Sequence, residues 1–229
     1  MKKISALLCT LVLSFTLLPS AAFADSHDEE NFGHEPFISG YTDGTFKPDR
    51  YIQREQFAIM LAKSLGLSIE PRDTIYKDVT ADDYASGAIA SLYEEEIMFG
   101  KTSGHFYPSQ WIDRAQVAAI VDRWVKMQCE ADSDSYGFCD NTYKPSYLDI
   151  PFYHWAKKQI ESPEAYGIME GYNDGTFRPE EYIKRDQAAK VLNRLFDREP
   201  HVEGLTVPFI DVPEDHWAYD EIAEAAVRH

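Results

Sequence analysis

One periodic pattern governs what this chain can fold into. Three stretches align without gaps: Gly40-Tyr-Thr-Asp-Gly-Thr-Phe46, Gly100-Lys-Thr-Ser-Gly-His-Phe106 and Gly171-Tyr-Asn-Asp-Gly-Thr-Phe177. Eight residues after each leading glycine stands a proline (Pro48, Pro108, Pro179) and twelve after it an isoleucine (Ile52, Ile112, Ile183). An arginine follows at fourteen (Arg54, Arg114, Arg185) and a glutamine at sixteen (Gln56, Gln116, Gln187). Fixed offsets of this kind are the signature of stacked structural repeats, each too small to bury its own apolar face. The Asp-Gly steps supply the positive-φ residues of a tight turn.

Each arginine opens an amphipathic helix. Apolar residues recur as Phe57, Met60, Leu61 and Leu65, then Val117, Ile120, Val121, Trp124 and Val125, then Ala188, Val191, Leu192, Leu195 and Phe196. Spacing of i, i+3, i+4, i+7 makes one buried stripe. A second segment precedes the glycine loop by 22 residues, as Tyr76-x-Asp78-Val79 and Tyr147-x-Asp149-Ile150, and a third copy, Phe209-x-Asp211-Val212, has no loop after it. Six residues past each aspartate is an aromatic (Tyr84, Trp155, Trp217), and five further an isoleucine (Ile89, Ile160, Ile222). This reads as a short extended stretch, a turn and a first helix, with Pro163 set to kink or shorten one of the three. The unit is therefore helix, glycine turn, short extended segment, helix.

These motifs resemble the S-layer homology family. Phe209-Ile-Asp-Val-Pro-Glu-Asp-His-Trp-Ala218 is similar to the start of such a repeat, and Gly171-Tyr-Asn-Asp-Gly-Thr-Phe-Arg-Pro179 to its middle. Gln53-Arg-Glu-Gln56, Asp113-Arg-Ala-Gln116 and Lys184-Arg-Asp-Gln187 occupy the place of the family's Thr-Arg-Ala-Glu motif. The resemblance covers roughly residues 36–229 apart from linkers. It implies a mainly α fold, three helix-loop-helix units in a pseudo-threefold bundle, whose grooves grip secondary cell-wall polysaccharide, often through a pyruvylated amino sugar. The protein would then be anchored non-covalently at the cell wall or cell surface.

Departures from the pattern locate weak points. The Thr-x-x-Glu capping box closes a helix start reciprocally, and none of the three copies has Thr. Asp113 can still cap, whereas Gln53 and Lys184 cap poorly. The middle copy has Lys101-Thr-Ser103 in its loop and Tyr84 in place of Trp. Both departures are expected to fall in one middle groove.

The chain starts and stops mid-repeat. Residues 25–66 contribute a loop and second helix, 76–127 and 147–196 are whole repeats, and 209–229 form a first helix alone. In register, His229 matches Pro36. Leaving the two half-units apart would expose a large apolar surface. They are expected to complete the third unit together within a monomer, with the last helix covering the stripe of Phe57 to Leu65.

Residues 1–24 have the form of a signal peptide: Lys2 and Lys3, an apolar stretch from Ile4 to Leu18, and Ala22-Phe23-Ala24 for cleavage. Cys9 lies inside the apolar run, which argues against lipid attachment there. Without Lys2 and Lys3 the 22 basic residues fall to 20, against 39 acidic ones. Nucleic acid is excluded as a partner by that balance, and nothing after the signal segment is long and apolar enough for membrane insertion. Cys129 and Cys139, in an insert over 128–146, read as a disulfide closing a surface loop of an exported protein. The competing reading is a pair of free thiols or metal ligands, although no histidine stands nearby to complete a zinc site.

The candidate ligand residues follow from chemistry as well as resemblance. Arg54, Arg114 and Arg185 sit at helix N-termini, where an arginine fork suits a carboxylate; they could equally pair with local acids. Asp78, Asp149 and Asp211 could accept sugar hydroxyls or cap turns. Tyr84, Trp155 and Trp217 could stack on a sugar or fill the core. Tyr41 and Tyr172, beside Gly40 and Gly171, are placed to line grooves. His154 and His216 read as helix-entry residues. Asp132 to Gly137 has too few acidic ligands for calcium and reads as a polar insert. No catalytic constellation, metal site or cofactor site stands out. A protein-interaction module at the cell surface and, behind it, a polysaccharide-degrading enzyme are the rival functions.

Overall fold

The computed structural model describes residues 35–228 apart from 103, 163, 164 and 201–205, so the expected signal segment lies outside the described residues. The fold is mainly α. Six α-helices are present among the described residues: α1 (Arg54–Ser64), α2 (Ser86–Glu94), α3 (Arg114–Ala131), α4 (Lys157–Ile160), α5 (Arg185–Leu195) and α6 (Tyr219–Ala226). The apolar stripes face inward as their period requires: Phe57 and Leu61, Val117 and Val121, and Ala188 and Leu192 are all buried. The helix stop at Ile160 precedes Pro163, which itself lies outside the described residues.

The extended segments before α1, α3 and α5 meet as isolated antiparallel bridges, Tyr51 with Lys184, Gln53 with Trp111, and Asp113 with Tyr182. Their hydrogen bonds close a ring. The N–H of Ile52 donates to the Ile183 carbonyl, Ile183 to Ile112, and Ile112 back to Ile52, at 3.2, 3.0 and 3.1 Å. All three isoleucines are buried. The buried isoleucine of each segment thus satisfies its backbone groups through the other two, as a buried backbone must.

Helix pairing departs from the sequence expectation. α1 packs against α2, α3 against α4, and α5 against α6. The last helix therefore covers α5, and the stripe of α1 is covered by α2. The reason is local: within a repeat, the glycine loop is tied down onto the segment before the first helix, and the second helix is carried away to the first helix of the following repeat.

The two chain ends nevertheless meet. Phe37 and Ile38 both donate their N–H to the Ala225 carbonyl at 3.1 Å, and Ile210 donates to Gly44 at 3.2 Å. Phe209 stacks obliquely on Phe46, with ring centroids 5.3 Å apart. A Cβ on Gly40 would lie 2.2 Å from the Phe209 ring, so only glycine lets that ring seat beneath the loop.

Cys129 and Cys139 are joined, with Cα atoms 5.5 Å apart. The bond pins the end of α3, which runs 18 residues against 11 for α1 and α5. The insert is less polar in its packing than its sequence suggests. Tyr136 and Phe138 lie over Trp124 with centroids 6.1 and 6.2 Å away, and Trp124 reaches Phe196 of the next repeat at 5.1 Å.

Truncating the chain after residue 208 removes the partners of Phe37, Ile38, Phe46 and α5. Amide exchange should accelerate in residues 37–47 and in α5 more than in α1. Faster exchange confined to α1 would restore the original pairing expectation.

Candidate functional site

The glycine loops are built by one device used three times. Both oxygens of Asp78 accept backbone N–H groups, from Phe106 and Tyr107 at 2.8 and 2.7 Å. Asp149 does the same for Phe177 and Arg178 at 2.8 and 2.6 Å, and Asp211 for Phe46 and Lys47 at 2.7 and 2.8 Å. The second residue of each pair, Tyr107, Arg178 or Lys47, holds a φ of 58–59°. A side chain in that region is strained, and the carboxylate clamp is what fixes it. Burial pushes the Asp78 carboxyl up, but the N–H groups of Phe106 and Tyr107 outweigh it and hold it below the ordinary range. Asp78 and Asp149 thus clamp loops 28 residues on, and Asp211 clamps the loop at the other end of the chain.

The arginines are buried, and each reaches across to the loop of the next repeat. Arg54 donates from Nε to the Phe106 carbonyl at 2.9 Å, from one terminal nitrogen to Gln116 at 2.8 Å and from the other to the Phe99 carbonyl at 2.9 Å. Arg114 donates to the carbonyls of Phe177 and Glu170, both at 2.8 Å. Arg185 donates to those of Phe46 and Ser39 at 2.8 and 3.0 Å. Each guanidinium also lies 4.6 Å over the loop phenylalanine, Phe106, Phe177 or Phe46. Burial lowers the Arg54 pKa to about 10 and lowers Arg114 and Arg185 as well.

Each groove draws on three successive repeats. One cavity of about 370 Å³ is lined by Arg54, by Gly100 and Lys101 of the following loop, by Gln116, Ile120 and Arg123 of α3, and by Trp155 of the repeat after that. A second, of about 300 Å³, repeats the plan with Arg114, Gly171 and Tyr172, then Gln187, Lys190 and Arg194 of α5, and Trp217. In the third position Arg185 lies 5.0 Å under Tyr41. Trp155 goes with Arg54 and Trp217 with Arg114, so by the same register Tyr84 belongs with Arg185 and Tyr41; burial, Glu55 and Tyr41 all raise its hydroxyl pKa. The two sequence departures are therefore split: Lys101 belongs with Arg54 and Trp155, and Tyr84 with Arg185 and Tyr41. The groove of Arg114, with Tyr172 and Trp217, carries neither.

The three aromatics do not fill the core. Tyr84, Trp155 and Trp217 are 59, 63 and 57 % exposed. Gly40, Gly100 and Gly171 serve packing, since a Cβ at Gly171 would lie 2.3 Å from the Tyr147 ring and one at Gly100 2.3 Å from the His105 carbonyl oxygen. Of the expected caps, Asp113 accepts from the Gln116 N–H at 2.8 Å, whereas Gln53 and Lys184 only donate their own N–H to Gln56 and Gln187, each at 3.0 Å. Sequence reasoning missed the helical groove lining. Its signal is the stripe that follows each glutamine: Gln116, Ala119, Ile120, Arg123 and Gln187, Lys190, Val191, Arg194 share one face at i, i+3, i+4, i+7.

Among the described residues, no group of histidine, cysteine and acidic side chains could hold a metal, and no helix is long and apolar enough to cross a membrane.

Comparison with known proteins agrees with the motifs. The sequence model of the S-layer homology domain matches residues 34–58, 75–118 and 146–189. A cellulosome-anchoring protein of Acetivibrio thermocellus is 34 % identical over 200 residues, 86 % of this chain and 43 % of that protein. A 125 kDa surface-layer protein of Lysinibacillus sphaericus is 30 % identical over 178 residues, 74 % of this chain and 14 % of that protein. An endoglucanase of a Bacillus species is 30 % identical over 180 residues, covering 75 and 18 %. The chain thus spans less than half the length of these relatives.

Replacing Arg114 by Ala leaves the Phe177 and Glu170 carbonyls without a donor and should cost about 3 kcal/mol in denaturant unfolding. Arg114→Lys should recover less than half, because an ammonium lacks the fork. For Asp78 the folded pKa is lowered, so its stabilisation is complete above the unfolded value near 3.8 and is lost as pH falls through the lower folded value. Asp78→Asn should flatten that part of the acid-unfolding profile; an unchanged profile contradicts the clamp.

Proposed function

Since this chain carries the repeats of the S-layer homology domain family, we propose that it binds an anionic secondary cell-wall polysaccharide non-covalently and so is held at the cell envelope. The family match and the cellulosome-anchoring and surface-layer relatives support the surface location. The observation that carries the ligand class is the pairing, in the two cavities of Arg54 and Arg114, of an exposed aromatic with cationic side chains on a protein of net charge −17. An indole or phenol face stacks on the C–H face of a sugar, and Lys101 and Arg123 supply local positive potential for an acid group against the global field, whereas Lys190 and Arg194 of the second groove are paired with Glu221 and Glu170.

The division into a half unit (25–66), repeats at 76–127 and 147–196, the Cys-bearing insert and a half unit (209–229) belongs to this reading, as do a monomeric, pseudo-threefold bundle and a removable signal segment. A pyruvyl ketal is the acid group that such a groove would take. Arg54, Arg114 and Arg185 act chiefly by setting the loops that carry Lys101, Tyr172 and Tyr41, and Asp78, Asp149 and Asp211 by clamping them. The protein-interaction alternative rests on Leu148, Phe152 and Tyr153, exposed apolar residues within six positions of the chain.

Calorimetric titration with soluble wall polysaccharide tests the proposal. Trp155→Ala and Trp217→Ala should each weaken binding by about 1–2 kcal/mol at the affected groove without lowering the melting temperature, because both side chains are mostly exposed. Undiminished binding by the double variant would exclude the grooves as the binding surface.

A further inference from the structure

The helices that follow the three arginines are not the same length. α3 runs a full two turns beyond the point where α1 and α5 stop, and the Cys129–Cys139 bond fixes that extra length. On its outer side lies a further cavity of about 360 Å³, lined by Ala119, Asp122, Arg123, Lys126, Met127, Glu130 and Gln159. Ala119 and Arg123 also line the cavity of Arg54 and Trp155, so the two adjoin along α3.

This second cavity differs in chemistry from the first. Asp122 is buried and pairs with Lys126, whose ammonium lies 2.9 Å from one carboxylate oxygen. Gln159, from α4, has its side-chain oxygen buried with no hydrogen-bond partner. A buried acceptor without a donor is costly to keep, and the cavity gathers further acceptors in Asp122 and Glu130. Arg123 and Lys126 balance Asp122 and Glu130 in charge, so the lining is close to neutral, and the Arg123 guanidinium is held by the Ile97 carbonyl and lies 4.7 Å over Phe99.

Resting on the polysaccharide reading above, we propose that this cavity is a second sugar subsite that receives the neutral, hydroxyl-bearing residue next to the acidic one held beside Trp155. A neutral sugar offers hydroxyl donors to Gln159 and Asp122 and acceptors to Lys126. A second acid group gains nothing there, because Arg123 and Lys126 are already balanced by Asp122 and Glu130. The groove of Arg114 lacks this extension because α5 ends at Leu195.

The test uses the full chain and wall polysaccharide cut by a glycosidase into fragments of one and of three sugar residues, each keeping the acid group. The wild-type protein should bind the longer fragment about tenfold more tightly, roughly the worth of one or two hydrogen bonds. Gln159→Ala should remove that gain while leaving affinity for the short fragment within about twofold. Lys126→Ala, at a half-exposed position, checks the same loss should the first variant be unstable. Equal wild-type affinity for both fragments, or a gain that survives both substitutions, overturns the subsite and leaves the anchoring proposal standing. No binding of either fragment to the wild type overturns both.

Discussion

Three buried guanidinium groups organise this molecule. A charge removed from water is expensive unless its donors are met, and here they are met by carbonyls of a neighbouring repeat: Phe106 and Phe99 for Arg54, Phe177 and Glu170 for Arg114, Phe46 and Ser39 for Arg185. None of the three can be satisfied inside its own repeat. The fold therefore cannot be assembled one unit at a time, and the last arginine finds its carbonyls only because the N-terminal loop lies against the segment carrying Asp211.

The same interleaving makes the grooves. An arginine from one repeat sets the loop of the next, the helix after that loop forms a wall, and the first helix of the third repeat presents its aromatic. Trp155 and Trp217 stand in the open because the neighbouring helix pairs, α3 with α4 and α5 with α6, already bury what they need through alanine and isoleucine. Exposed tryptophan on an otherwise well-packed acidic surface is consistent with a ligand that supplies the missing apolar face.

Much of this was legible in the sequence. Fixed offsets between Gly, Pro, Ile, Arg and Gln delimit the repeats, and the 3.6-residue period identifies every buried stripe of α1, α3 and α5. The meeting of the two chain ends could be argued from register alone. Helix partners could not, because apolar period tells that a stripe is covered and not by which helix. Nor could the roles of Asp78, Asp149 and Asp211, whose partners lie 28 residues away or, for Asp211, at the other end of the chain. The arginines illustrate a further limit: a helix-start arginine is equally suited to a ligand carboxylate and to a neighbour's carbonyls, and only the coordinates show its nitrogens on the carbonyls. The insert looked polar because Asp and Ser dominate its start, while its packing is decided by Tyr136 and Phe138.

The central claim is that three interleaved repeats create a wall-polysaccharide-binding surface. Its most direct measurement is cosedimentation of the purified protein with wall sacculi before and after chemical removal of the secondary polymer. The account predicts retention on intact sacculi, no sugar released into the supernatant, and loss of retention once the polymer is stripped. Retention that survives stripping, or release of soluble sugar, would contradict it.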